Sequence, residues 1–258
     1  MQVLDTIESI MFMIFYLVII WVFLIRLIIT NYKNDTFRNR ERYWQWTFLA
    51  YFLLGFGDIF HLGLRVVIFI AGWGPDDHLT NLSIASGTIL TSLTMYYFYV
   101  AVFHLWANLY GLIHSTKSKI KIYTVIEYSA YFIGVILLFM PYNRWYEGNG
   151  TVDFGFDFRI ITAIPLYILG LIAVGLLLRS SRKERNTSSG KVNIEMNRGN
   201  YLASWWFIVS FITYSLTIFF VANYPIAGMF MIPKTIAYLV AFYYHYRNIL
   251  TNPLSLKH

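Results

Sequence analysis

The chain has 258 residues, 58% of them hydrophobic and only 13% charged, with a mean hydropathy of +0.55, which excludes an ordinary soluble domain and points to a polytopic membrane protein. The net charge of +7 sits mainly in the links between apolar runs, so membrane topology accounts for it better than a nucleic-acid partner does. There is no cysteine, which excludes disulfides, thiolate catalysis and cysteine metal ligands.

Hydropathy predicts an all-α fold of seven transmembrane helices in one domain spanning 1–258, at about 8–30, 46–72, 82–113, 122–141, 159–180, 200–222 and 226–249. The first apolar run, Ile10 to Ile29, is too long for a signal-peptide core and follows Asp5 and Glu8, so it reads as a retained helix. The third span is over-long and must tilt or project from the membrane. No internal repeat is visible, which weighs against inverted-repeat transporter folds.

Lys and Arg alternate between links. Lys33, Arg38, Arg40 and Arg42 mark the first, Lys117, Lys119 and Lys121 the third, and Arg182, Lys183, Arg185, Lys191 and Arg198 the fifth. The second (Gly74-Pro75-Asp76-Asp77-His78) and sixth (Asn223-Tyr224-Pro225) have none, and the fourth pairs Arg144 and Arg159 with Glu147, Asp153 and Asp157. The positive-inside rule then puts the N-terminus outside and the C-terminus in the cytoplasm of a multi-pass cell-membrane protein.

The polar loop 182–200 is the candidate dock for a cytoplasmic partner. Pro141–Phe158 reads as an aromatic lid or interfacial anchor. Asn81-Leu82-Ser83 and Asn149-Gly150-Thr151 match glycosylation sequons.

Ionisable residues at membrane depth are costly and seldom face lipid. Asp58, His61 and Arg65, at i, i+3 and i+7, share one face of the second span. Counting at ~1.5 Å per residue puts Asp58 near the midplane, Arg65 about 10 Å from the outer surface and Lys234 of the seventh span roughly 12 Å from it. These four residues form the candidate ligand site, with Thr91, Tyr96 and Tyr99 of the third span and Tyr214 of the sixth as its walls. Three potential cations around one carboxylate suit a small anionic or amphipathic ligand, or a lipid headgroup. The bland alternative is a structural network in which Asp58 pairs with Arg65 or Lys234. His104, Asn108 and Glu127 form a second, inner polar group, and Pro165 and Pro233 loosen their helices.

Three chemistries compete with ligand binding. Asp58 with a reversible cationic partner suits a proton-coupled transporter. Lys234 in the seventh span would carry retinal, and the seven-helix, N-out layout resembles microbial rhodopsins. Yet aligning Phe230-Met231-Ile232 puts Lys234 where that family has its acid and Tyr238 where it has its lysine. Phe60-His61 resembles the second-helix histidine of ceramidase-like and adiponectin-receptor-like hydrolases. Their paired histidines in the last helix are missing, since His245 stands alone, and zinc needs about three ligands.

Gly57-Asp58-x-Phe60-His61-Leu62-x-x-Arg65, Thr91-Ser92-Leu93-Thr94-Met95 with His104-x-Trp106, and Met231-Ile232-Pro233-Lys234-Thr235-x-Ala237-Tyr238 together resemble a set of uncharacterised prokaryotic seven-helix integral membrane proteins. That resemblance implies one shared site for Asp58, His61, Arg65 and Lys234. The expected function is a receptor- or sensor-like membrane protein, without a resident cofactor or metal, whose partners are membrane lipids and a small ligand.

Overall fold

The computed structural model describes residues 2–34, 42–74, 77–111, 117–143, 145, 155–187, 191–220, 224 and 229–251. Among them the regular structure is entirely helical. α1 spans Gln2–Asn34. The second rod is α2 (Arg42–Asp58), a π turn (Ile59–Gly63) and α3 (Leu64–Ala71). α4 (His78–Trp106) continues through a second π turn, Ala107–Gly111. Then come α5 (Lys117–Leu138), α6 (Gly155–Thr187), α7 (Lys191–Phe220) and α8 (Met231–Thr251).

Successive rods alternate in direction. Trp46 at the start of α2 stacks on His104 near the end of α4, at 4.3 Å between ring centroids. Trp106 donates to Ser180 near the end of α6, and Asn248 at the end of α8 donates to Asn200 at the start of α7. These contacts define a lower end. The upper end holds the α3–α4 link, where Gly72 closes α3 in the left-handed region at φ 67°.

Six of the rods are long and apolar enough to cross a membrane: Ile10–Ile29, Gln45–Ala71, His78–Gly111, Ser118–Leu138, Ile160–Lys183 and Arg198–Phe220. Burial explains why a bilayer suits them. On α1, Tyr16, Ile20, Leu24 and Leu27 are buried, while the opposite face exposes Met11, Ile14, Phe15, Val18, Val22 and Ile25. Exposed apolar faces of that extent are at home in hydrocarbon, not in water. α8 has the length, at 21 residues, but it is more polar, with Lys234, His245, Arg247 and four tyrosines.

α4 is the hub. From Thr94 to Trp106 it is buried almost all round, as a central helix must be. It packs on the second rod, α5 and α6, whereas α8 lies mainly on α7. α4 and the second rod cross closely, in part backbone to backbone. A Cβ at Gly87 would lie 2.4 Å from the Phe60 carbonyl oxygen, and one at Gly57 would lie 2.1 Å from Thr94 Oγ1. Small residues at such crossings let membrane helices touch backbone to backbone.

Several expectations change. Within the expected loop 182–200 the described residues are helical: α6 runs on to Thr187 and α7 begins at Lys191, because polar helix formers extend both rods past their apolar windows. Pro233 is not a mid-helix hinge. It falls in the first turn of α8, where a missing N–H has no helical acceptor to lose. Pro165 does lie inside α6, and in the turn it loosens the Thr162 carbonyl accepts the Tyr96 hydroxyl at 2.7 Å. Asn81 sits in the first turn of α4 rather than in a link, and Asn149 lies outside the described residues. Most of the expected lid, 144 and 146–154, also lies outside them; Trp145 donates its indole N–H to Leu138 O at 2.9 Å and so caps α5.

Candidate functional site

The site begins at the π turn. A π turn widens the backbone ladder by one residue and commonly marks functional positions. Here it starts directly after Asp58, against the bare backbone of Gly87. The Thr91 hydroxyl donates to the Gly57 carbonyl at 2.7 Å, tying the break to α4. The second span is therefore not one regular helix, and the extra residue shifts His61 and Arg65 out of the simple i, i+3, i+7 register counted from Asp58.

That shift divides the polar cluster. Tyr16 of α1 donates to Asp58 Oδ2 at 2.5 Å, across 42 residues of sequence. Lys234 acts electrostatically on both Asp58 and His61, while Arg65 acts on His61. Lys234 is thus the shared centre of two arms. Among the described residues no cation comes within ion-pair distance of Asp58, so the expected Asp58–Arg65 or Asp58–Lys234 salt bridge does not form. The Lys234 ammonium sits instead over the Tyr214 ring, 4.4 Å from its centroid, and 6.0 Å from that of Tyr238. A cation over a ring gains ~0.5–2 kcal/mol depending on its burial, which orients the side chain without neutralising it.

Asp58, His61, Arg65, Lys234 and Tyr214 are all half-buried between the rods. Below them the site closes. Tyr99 and Tyr238 share a hydroxyl–hydroxyl hydrogen bond of 2.8 Å, and both are buried. Tyr99 stacks on Phe211 at 5.0 Å, and Phe98 packs edge-on against Tyr99, Phe207 and Tyr238. Tyr96 is buried to 2% with its hydroxyl on Thr162 O, so it offers the site a ring and no free donor. Thr91 likewise has its hydroxyl on Gly57 O.

Two contributors escaped sequence reasoning. Tyr238 belongs to the same polar layer as Tyr99. Tyr16 had one signal: it is the only hydroxyl-bearing residue between Ile10 and Ile29.

The inner group does not assemble as expected. His104 Nε2 pairs with the Tyr128 hydroxyl at 2.9 Å, and Asn108 donates to the His104 carbonyl. Glu127 is fully buried, with no hydrogen-bond partner for either carboxylate oxygen among the described residues. His245 is 1% exposed, and its Nδ1 pairs with the Tyr51 hydroxyl at 2.7 Å. The reason is register, because Tyr238, Ala241, His245 and Asn248 form one stripe of α8 turned into the bundle.

Fold and site together define an all-helical, multi-pass type of membrane protein with a polar cluster between its rods. No protein-family model, curated protein or solved structure matches the chain. Among the described residues no group of three or more metal-ligating side chains converges.

Proposed function

We propose that the chain is a receptor- or sensor-like protein of the cell membrane, with seven spans and its N-terminus outside. In this reading α8 is the seventh span and the upper half of the bundle binds a small anionic or amphipathic molecule. The observation that carries the reading is the state of Lys234. It is half-buried and oriented by the Tyr214 ring, and it meets no carboxylate within ion-pair distance among the described residues. His61 and Arg65 stand beside it, so an entering carboxylate or phosphate finds donors already oriented. Asp58, held by Tyr16, would take the ligand's polar or cationic end.

Native mass spectrometry of gently purified protein tests this. Wild type should carry a small anionic or amphipathic adduct that Lys234→Gln loses and Arg65→Gln weakens. An adduct kept equally by Lys234→Gln would refute the site. A second reading, a proton-coupled transporter titrating at Asp58, draws support from the π turn that breaks the second rod at that residue. It requires pH-dependent solute flux in vesicles that Asp58→Asn abolishes.

A further inference from the structure

The lower end carries a different feature, independent of the upper cluster. A cleft of about 250 Å³ opens sideways between α6 and α7, lined by Gly175, Leu178, Arg179, Arg182, Tyr201 and Trp205. Gly175 lies exposed at the cleft, and a Cβ there would meet nothing within 4 Å. Gly175 and Leu178 supply its apolar side. Arg179 and Arg182, one helical turn apart, supply the charge. Among the described residues neither guanidinium has a carboxylate partner within ion-pair distance. Across the cleft Tyr201 and Trp205 pack edge to face, with ring centroids 6.4 Å apart, and Trp205 is 47% exposed.

The position decides the ligand. Arg179 lies four residues, ~6 Å, from the end of its apolar rod at Lys183, and Tyr201 three residues from the matching end at Arg198. That is headgroup level, where tryptophan and tyrosine anchor a bundle and arginine meets phosphate. A pocket enclosing a whole small molecule is typically ~300–1,000 Å³. A smaller cleft, open sideways, suits a headgroup whose acyl chains run up the exposed apolar surface of Leu171 and Ile212.

We propose that this cleft is a binding site for one anionic phospholipid, its phosphate held by Arg179 and Arg182 and its glycerol region lying against Trp205. The inference rests on the proposed reading of the rods as membrane spans with a cytoplasmic lower end, which faces the leaflet that carries anionic lipid.

The test uses the full chain in phosphatidylcholine vesicles containing a minor fraction of phosphatidylglycerol, followed by native mass spectrometry. Wild type should retain a single phosphatidylglycerol against the excess of phosphatidylcholine. The double variant Arg179→Gln/Arg182→Gln should hold it roughly 30-fold more weakly, from ~1 kcal/mol per basic residue at the surface. Arg26→Gln, an exposed charge on α1, serves as the control and should leave retention unchanged. Trp205→Leu gives an independent check, because quenching of tryptophan emission by brominated phosphatidylglycerol should fall in that variant. Equal loss in Arg26→Gln would mean a net-charge effect and overturn the site. Displacement of the lipid by inorganic phosphate would mean a soluble-anion site and overturn it as well.

Discussion

Gly87→Ala puts the architecture of the site to its most direct test. The added Cβ would lie 2.4 Å from the Phe60 carbonyl oxygen and 3.1 Å from its carbon. Carbon–oxygen contacts normally settle at ~3.3–3.6 Å, so the rods must part by about 1 Å or the π turn must move. The obstacle is backbone, which cannot swing aside as a side chain can. Overpacking of this kind costs ~1–3 kcal/mol, against ~1 kcal/mol gained when alanine replaces glycine in a helix. The net expectation is a loss of up to about 2 kcal/mol. At ~2–4 °C per kcal/mol for a chain of this size, the melting temperature in mild detergent should fall by up to about 8 °C. Gly57→Ala should lose less, because its nearest obstacle, Thr94 Oγ1 at 2.1 Å, is a hydroxyl that can rotate. Gly175→Ala should gain ~0.5–1 kcal/mol, since its Cβ meets open space. Intrinsic fluorescence during heating reads all three. Gly87→Ala melting at or above wild type, with Gly175→Ala raised as expected, would refute the close crossing of α4 on the π turn.

Four other perturbations read the polar interior. Tyr16→Phe removes the donor to Asp58 and should cost about 1–3 kcal/mol, the range for a hydrogen bond to a charged group; a loss under about 0.5 kcal/mol would mean the bond is immaterial. Asp58→Asn keeps an acceptor for Tyr16 and breaks no ion pair, so its melting temperature should fall less than that of Tyr16→Phe, and the reverse order would revive the salt bridge. Tyr51→Phe takes from His245 its hydrogen-bond partner, since Nε2 already has none among the described residues, and should cost ~1–3 kcal/mol in the same melt. Glu127→Met should raise stability by ~1–3 kcal/mol, because it removes a fully buried carboxyl with no described partner; a fall would point to a partner for that carboxyl.

The sequence by itself determined the rods and the identity of the costly residues. Six apolar windows are a local property of composition, and they survive folding within a few residues of where hydropathy puts them. Asp58, His61, Arg65 and Lys234 stand out for the same reason: a charge in an apolar run is conspicuous before any contact is known. Partners are another matter. Tyr16 and Asp58 are 42 residues apart, and Tyr51 and His245 are 194 apart, so no periodicity along the chain connects them. The π turn at Ile59–Gly63 also escapes local pattern, because it forms where Gly87 of another rod presses on the backbone. The π turn takes Arg65 out of the register of a regular helix counted from Asp58, and Lys234 is the cation that acts on both Asp58 and His61. Hydrophobicity along the chain places helices in a bilayer; only the packing of one helix against another sets their register, and register decides which polar groups meet.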